Sequence, residues 1–176
     1  MATDRERQDA LYAEAISTHG AAIRRLARGY EADPDKRQDL LQEIHLGLWT
    51  SLKAFHGRCS LKTWVYRIAH NVGASYVVRS RRLSSRLVDL ETVEAATAPE
   101  GLRQDDRRYS VASLLELIYQ LNPLDREVML LYLEGEAADS IAEVTGISAA
   151  NVATKIHRIK RVLKEKYVQG AADVKT

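Results

Sequence analysis

The stretch that decides the fold runs from Ile141 to Arg161 and reads IAEVTGISAANVATKIHRIKR. It has the pattern of a helix-turn-helix. Ala142 is small enough to let two helices approach closely, and Gly146 accepts the left-handed conformation that ends a helix. Ser148 follows as the cap of a second helix, where its hydroxyl accepts a hydrogen bond from a backbone N–H. We therefore predict two helices joined by a turn at Gly146.

The second helix of this motif carries two stripes of different chemistry. The apolar stripe recurs at helical spacing and is predicted to face the core: Val152, Ile156, Ile159, Leu163 and Tyr167. The other stripe is polar and cationic, of the kind that enters the major groove of DNA: Thr154, Lys155, Arg158 and Arg161. The alternative is an ordinary helical hairpin with a solvated basic face. Because the cap, the glycine, the small residue and the core stripe agree, we predict DNA binding at this end of the chain.

Composition favours a helical protein with unevenly distributed charge. Of 176 residues, 45% are hydrophobic and 3 are proline. The net charge is only +2, but basic residues cluster at 79–86 and 155–166, and an acidic stretch lies at 89–106. Such local clusters indicate nucleic-acid binding even where the net charge does not.

The expected compartment follows from what the sequence carries. Cys59 is the single cysteine, so no disulfide can form within the chain, and a reducing compartment fits best. The charged start, MATDRERQD, lacks the apolar core of a signal peptide, and no apolar run is long enough to span a bilayer. We expect a cytoplasmic protein without membrane insertion.

The predicted fold class is all-α, with two small helical domains joined by a flexible acidic linker. The first domain, residues 1–86, is predicted to hold four helices, at about 6–18, 21–31, 35–54 and 61–82. The linker covers 87–108, and the second domain covers 109–176, with helices at about 110–121, 124–134, 138–145 and 149–167. Asp33-Pro34 and Asn122-Pro123 are predicted helix starts, since proline suits the first helical position.

Two regions of the first domain are candidate binding sites. In the third helix Leu41, Ile44, Leu48, Leu52 and Phe55 are predicted to be buried, whereas Asp39, Gln42, Glu43 and Leu46 form an acidic and amide patch off that stripe. The patch is either a partner site or a solvated face. The segment 55–82 then mixes aromatic and cationic side chains, which suits single-stranded DNA: Trp64, Tyr66 and Tyr76 alternate with Lys62, Arg67, His70, Asn71 and Arg79. Trp64 shares an apolar stripe with Val65, Ile68 and Val72, so it is predicted to be part of the core rather than a platform for base stacking.

Catalysis finds little support in the sequence. The five histidines show no metal-ligand spacing with Cys59 or with one another. Neither a glycine-rich phosphate loop nor a nucleophile elbow occurs. We expect no enzyme activity, no catalytic residue, no metal and no cofactor.

Four motifs in this order resemble the sigma-70 family of bacterial RNA polymerase specificity factors, and most closely its small extracytoplasmic-function (ECF) group. They are DLLQE at 39–43, FHGRCSLKTWVYRIAHN at 55–71, LNPLDREVMLLYLEG at 121–135 and the helix-turn-helix. The resemblance covers residues 8–168 and implies a sigma-2-like domain, a linker and a sigma-4-like domain.

The resemblance also implies a role for individual residues. Asp39, Gln42 and Glu43 would contact the clamp helices of the largest polymerase subunit, and the second-largest-subunit flap would be a further partner. The minus-10 element of promoter DNA would be read by His56, Arg58, Cys59, Ser60, Lys62, Arg67 and Asn71, with Ser75 and Arg79 following the duplex upstream. The minus-35 element would be read by Asn151, Thr154, Lys155, His157 and Arg158.

The chain departs from the family pattern at two places, and its sequence does not identify its regulator. Lys36, Arg37 and Gln38 stand where relatives usually have acids, and Ala153 replaces a basic residue. Because a few relatives with altered charge are thought to need phosphorylation nearby, Thr50 (with Ser51) is a candidate phosphorylation site. An anti-sigma factor or a kinase is the expected regulator.

Two alternatives to a sigma factor stay open on the sequence. One is a stand-alone helix-turn-helix regulator whose first domain dimerises or senses a signal. The other is a sigma mimic that occupies an anti-sigma factor without starting transcription. The motifs at 39–43 and 55–71 argue against the first.

Overall fold

The computed structural model describes residues 4–88 and 106–173, and every regular element in these two ranges is helical. The elements are α1 (Asp4–Tyr30), α2 (Pro34–Ser51), a 3-10 turn (Leu52–Ala54), α3 (Leu61–Val88), α4 (Asp106–Tyr119), α5 (Pro123–Leu133), α6 (Ala138–Thr145) and α7 (Ala149–Asp173). Helices α1 to α3 pack on one another and form the first unit, and helices α4 to α7 form the second. The predicted all-α class is confirmed. Most of the predicted linker, residues 89–105, lies outside the described residues.

The predicted division of the first domain into four helices is wrong, because α1 is continuous through His19 and Gly20. A glycine in a helix costs about 1 kcal/mol relative to alanine. Here Gly20 is itself buried, and Ala15 before it and Ile23 after it enter one core. Burial on both sides of the glycine outweighs its propensity, so three α-helices and the 3-10 turn make up residues 4–88.

Both proline-marked helix starts are confirmed. The Asp33 carboxylate accepts hydrogen bonds from the backbone N–H groups of Asp35 and Lys36 at the start of α2. The Asn122 side chain accepts one from Asp125 N–H at the start of α5. These bonds satisfy donors that the helix itself leaves without partners.

The core of the first unit centres on the buried face of α2. Leu40, Ile44 and Leu48 are fully buried at spacings of four residues, and Leu52 and Phe55 continue the stripe. Leu41, which was predicted for this stripe, is only half-buried and packs at its edge. The stripe therefore begins one residue earlier than predicted, and this rotation leaves Asp39, Gln42 and Leu46 facing outward.

A polar pair lies within the same core, between α1 and α3. The Tyr30 hydroxyl and His70 Nδ1 are 2.7 Å apart, and the two rings meet edge to face with centroids 5.7 Å apart. Gly73 makes room for Tyr30, since a Cβ there would lie 2.6 Å from its ring. Burial lowers the pKa of His70 to about 3, which keeps its imidazole neutral. His70 is thus part of the core and not one of the cationic groups of the 55–82 segment.

The helix-turn-helix is confirmed in its details. Gly146 has φ 77° and its N–H bonds the Ala142 carbonyl at 2.9 Å. Ser148 Oγ accepts a hydrogen bond from Asn151 N–H at the start of α7. Val152, Ile159 and Leu163 are buried and Ile156 is half-buried, as the stripe predicts; the Tyr167 side chain lies outside the described residues.

The two units pack directly against each other. Gly29 of α1 lets Leu130 of α5 approach so closely that an added Cβ would lie 2.3 Å from Leu130 Cδ2. The Tyr119 hydroxyl donates to the Arg28 carbonyl, and the Arg126 guanidinium lies 5.9 Å from the centre of the Tyr30 ring. Within residues 4–88 and 106–173, no helix is both long and apolar enough to cross a bilayer.

Candidate nucleic-acid and polymerase interface

One face of α3 presents a row of polar side chains. Arg67, Asn71, Ser75 and Arg79 are four residues apart and therefore lie on one side of the helix. Asn71, Ser75 and Arg79 are exposed, and Arg67 is partly exposed. At a rise of 1.5 Å per residue the row extends about 18 Å, enough to follow several nucleotides. Four of the nine side chains predicted for the minus-10 element therefore share one face of α3.

The loop before α3, residues 55–60, carries exposed polar side chains next to residues that pack in the core. His56, Arg58 and Ser60 are exposed, Cys59 is half-buried, and Gly57 has φ 72°, which favours glycine. Ser60 Oγ also accepts from Thr63 N–H and so caps α3. The loop can offer polar groups to a ligand while its ends stay fixed.

Trp64 packs behind this loop, against Ser51 and Phe55. Its Nε1–H donates to Ser51 Oγ at 3.0 Å, and its ring meets Phe55 edge to face at 5.4 Å between centroids. These contacts agree with the prediction that Trp64 is part of the core, because its ring and its N–H donor are both engaged.

Several donors at the start of α3 are engaged by acids of the second unit. Lys62 Nζ lies 2.8 Å from Glu136 Oε2. Thr63 Oγ1 lies 3.1 Å from Glu143 Oε2, and the Arg67 guanidinium donates to the backbone carbonyl of Glu143. Sequence spacing gives no sign of these pairs, because the partners are more than 70 residues apart.

The acidic and amide patch on α2 is exposed and includes one ion pair. Asp39 and Gln42 are exposed, and Leu46 beside them is 66% exposed, an unusual position for a leucine. Glu43 is paired with Arg79 of α3 through two contacts of 2.6 and 2.8 Å. The patch therefore adjoins the α3 row, and the two share this salt bridge.

Helix α7 is anchored to α5 by an acidic residue that was not predicted from the sequence. Asp125 of α5 is nearly buried and accepts from Lys155 Nζ at 2.7 Å and from the Arg158 guanidinium at 2.6 Å. Burial works against ionisation of this carboxyl, but hydrogen bonds from Lys155 and Asn122 outweigh it and lower the pKa of Asp125. The signal was present in the sequence, since Asp125 stands three residues after the helix cap Asn122.

The residues predicted for the minus-35 element differ in how far their side chains are exposed. Asn151, Thr154, His157 and Arg158 are exposed on α7. The Lys155 side chain is only 26% exposed and the Arg158 side chain 55%, although both bind Asp125. Arg158 can therefore reach a ligand while remaining anchored, whereas Lys155 chiefly fixes α7 against α5.

The two hydroxyl groups considered for phosphorylation have different surroundings. Thr50 is exposed, and its hydroxyl donates only to the Leu46 carbonyl one turn earlier. Ser51 is half-buried and bonds both the Leu48 carbonyl and Trp64. Thr50 alone is open to a modifying enzyme.

No cluster of three or more His, Cys, Asp and Glu side chains is placed to share a metal ion in the part of the chain that the structure describes.

Comparison with known families gives two matches that follow the two helical units. Residues 15–83 match the model of sigma-70 region 2, and residues 112–163 match the model of sigma-70 region 4. The chain belongs to the sigma-70 family, and its relatives place it in the ECF group. Sigma factors of this family are initiation factors and not enzymes.

Individual relatives have low sequence identity to this chain but match most of its length. The chain is 25% identical to the probable RNA polymerase sigma factor RfaY of Xanthomonas campestris pv. campestris, covering 90% of this chain but 40% of that protein. The chain thus spans about two fifths of that relative. It is 28% identical to the ECF RNA polymerase sigma-E factor of Haemophilus influenzae, covering 73% of this chain and 72% of the relative.

A solved structure shares the fold. The sigma factor RpoE from Bartonella quintana, determined in complex with the anti-sigma factor NepR, aligns with a TM-score of 0.66 at 21% identity. The alignment covers 88% of this chain and 94% of that one.

Proposed function

We propose that this chain is a specificity subunit of bacterial RNA polymerase that reads two promoter elements with two domains, residues 1–86 and 109–176. The observation that carries the proposal is the presence of two exposed polar rows, on α3 and α7, together with an exposed acidic patch on α2. The polymerase supplies catalysis, and the chain works in the cytoplasm with it.

In this proposal the α2 patch binds core polymerase. Asp39, Gln42 and Glu43 contact the clamp helices of the largest subunit, and the exposed Leu46 supplies the apolar part of the interface. The second domain binds the flap of the second-largest subunit. Because Glu43 pairs with Arg79, docking on the clamp also frees a cation for DNA.

The loop 56–60 and the α3 row take the minus-10 element as its strands separate. Arg67 and Asn71 bind the unpaired strand, and Ser75 and Arg79 follow the duplex upstream. Holding unstacked bases offsets part of the cost of opening the duplex.

Helix α7 enters the major groove at the minus-35 element, where each base pair presents a distinct pattern of donors and acceptors. Asn151, Thr154, His157 and Arg158 face the bases, and Asp125 sets the direction of Arg158. One chain holding both readers gains from effective concentration once either domain is bound.

Regulation is proposed at two levels. An anti-sigma factor that covers the polymerase and DNA surfaces is one regulator. A kinase is the other: Thr50, exposed on α2, is the acceptor, and its phosphate adds negative charge to a patch preceded by Lys36 and Arg37.

Transcription in vitro tests this function. Purified chain, bacterial core polymerase and sheared genomic DNA from the source organism are combined, and transcript 5′ ends are sequenced. We expect discrete starts that share motifs near minus-35 and minus-10. A different result would favour a stand-alone regulator. In that case neither the parent chain nor Thr50→Glu would make transcription more selective than that of core polymerase alone, although the chain would still bind duplex DNA.

A further inference from the structure

A cavity lies between the start of α1 and the end of α2, beside the loop that precedes α3. Its volume is about 610 Å³, within the range of about 300–1,000 Å³ that ligand sites in proteins commonly have. Its wall includes His56 of the loop, Trp49 of α2 and Leu52 of the 3-10 turn. Of the side chains assigned above to the minus-10 element, only His56 lines this cavity.

Hydrogen bonds between α1 and the end of α2 hold the walls of the cavity in place. Gln8 is 4% exposed, and its Nε2 donates to the Trp49 carbonyl at 2.6 Å. The Arg7 guanidinium donates to the Phe55 carbonyl at 3.2 Å. Trp49 Nε1–H in turn donates to Asp9 Oδ1 at 2.9 Å, which fixes the orientation of the indole ring. The cavity is therefore already formed without a ligand, and binding does not have to order its walls.

The cavity combines cations with an aromatic ring, the combination that binds single-stranded nucleic acid. Three cations lie on its wall, Arg5, Arg7 and Lys53, and one carboxylate, that of Asp4, opposes them. Arg5 and Lys53 are exposed, and the Lys53 ammonium lies 5.5 Å from the centre of the Trp49 ring. An unpaired base can stack on such a ring while a neighbouring phosphate meets the cations.

The position of the cavity indicates which part of the strand can reach it. In the proposed minus-10 site, Ser75 and Arg79 follow the duplex upstream, and the loop 56–60 lies at the opposite end of α3. The cavity shares His56 with this loop and continues to the first turn of α1. A strand that runs from Arg79 to the loop and onward therefore meets the cavity with its downstream nucleotides.

We propose that this cavity is a second site for the displaced strand and binds an unpaired nucleotide immediately downstream of the minus-10 element. The base stacks on Trp49, and its phosphate lies against Arg5 and Lys53. This inference rests on the proposed function, since it extends the path of the strand beyond the loop. It makes the chain sensitive to the promoter sequence between the minus-10 element and the transcription start, because bases differ in stacking strength.

The test measures how much affinity the downstream nucleotides add. The full chain is assembled with core polymerase, and fluorescence anisotropy gives the dissociation constants of two labelled single strands from a promoter located by transcript sequencing. The short strand ends with the minus-10 element, and the long strand continues for four further nucleotides. The ratio of the two constants is compared among variants, because a loss of folding or of polymerase binding affects both strands equally. Core polymerase alone gives the background.

The variants change the ring and the cations separately. Trp49→Leu removes the aromatic ring, whereas Trp49→Phe keeps a ring and removes only the N–H bond to Asp9. Arg5→Ala removes one cation from the wall. Arg24→Ala is its matched control, because Arg24 is an exposed arginine of the same helix that lies outside the cavity.

We expect Trp49→Leu to lower the gain from the longer strand about 5-fold, whereas Trp49→Phe should retain most of it. For the longer strand, Arg5→Ala should reduce the slope of log affinity against log salt concentration by about 0.7, the value for one phosphate contact on a single strand. Arg24→Ala should leave both the gain and the slope at the values of the parent.

Two kinds of result would contradict the second site. A gain that survives Trp49→Leu, or a salt slope that Arg5→Ala changes no more than Arg24→Ala does, would overturn it. Binding of the short strand with no gain from the longer one would overturn the second site alone. Binding of neither strand above the background of core polymerase would overturn the minus-10 assignment and the second site together.

Discussion

The buried His70 makes the stability of the first domain sensitive to acid. In the folded chain its pKa is about 3, because burial disfavours the imidazolium, whereas an unfolded histidine titrates near its ordinary value of 6.5. A folded pKa below the unfolded one means that the unfolded chain binds the proton first. The contribution is therefore intact above pH 6.5 and is lost progressively as the pH falls towards 3.

The magnitude follows from the separation of these values. Each pH unit between them costs about 1.4 kcal/mol, so lowering the pH from 7 to 5 should remove about 2 kcal/mol through His70 alone. The change that isolates this contribution is His70→Gln, which keeps a polar group beside Tyr30 but removes the titration. The quantity compared is how the free energy of unfolding of each protein changes with pH, not its value at neutral pH.

The assay is urea unfolding followed by circular dichroism at fixed ionic strength, with parent and His70→Gln compared at pH 5, 7 and 8.5. We expect the free-energy difference between the two proteins to change by about 2 kcal/mol between pH 7 and 5. Between pH 7 and 8.5 the difference should stay nearly constant, which serves as an internal control. Parallel curves from pH 8.5 down to pH 5 would refute a neutral, buried His70.

Three further outcomes are expected. Burial raises the pKa of Glu127 to about 7, so the folded chain binds this proton before the unfolded chain does and gains stability as the pH falls. Relative to Glu127→Gln, the parent should gain about 1 kcal/mol of unfolding free energy between pH 8 and 6 in the same assay. An equal pH dependence of the two proteins would contradict a buried, protonated Glu127. Asp125→Asn should lower the free energy of unfolding by about 1.5–3 kcal/mol, because Lys155 and Arg158 lose the charge of a buried carboxylate to which both are hydrogen-bonded. It should also weaken duplex binding at the minus-35 element. Unchanged binding in a mobility-shift titration would show that the orientation of Arg158 is not needed. Leu46→Ser should change the free energy of unfolding by no more than about 0.5 kcal/mol, since the side chain is 66% exposed. It should nevertheless weaken binding to immobilised core polymerase. Binding equal to that of the parent would show that Leu46 is not part of the interface.

Local chemistry made much of the fold predictable. Gly146, Ser148 and the Val152 stripe all act within a few residues of their own position, and each was found in the predicted conformation. The break predicted near Gly20 failed for the converse reason. A local preference for ending a helix was overridden by burial of Ile23 against parts of the chain that periodicity does not reveal.

The candidate site divides in the same way. Exposure of Asn71 and Ser75 follows from their spacing along one helix and could be predicted. The pairs Glu43–Arg79 and Glu136–Lys62 join residues 36 and 74 positions apart, so only the packing of the helices brings them together. His70 was misjudged because it was assigned by residue type: it lies four residues after Tyr66 and three before Gly73, a spacing that places it on the buried face of α3.

Each of the two domains is proposed to read one promoter element, and a cycle of protein and promoter changes tests this division. On a promoter located by transcript sequencing, initiation rates are measured for the parent, Arg158→Ala and Asn71→Ala, each with the intact template and with a scrambled minus-35 element. If α7 reads that element, Arg158→Ala should lower initiation on the intact template and have little further effect on the scrambled one. Asn71→Ala should lower initiation by a similar factor on both templates. An equal effect of Arg158→Ala on both templates, or an effect of Asn71→Ala that disappears with the minus-35 element, would contradict the assignment of the two readers.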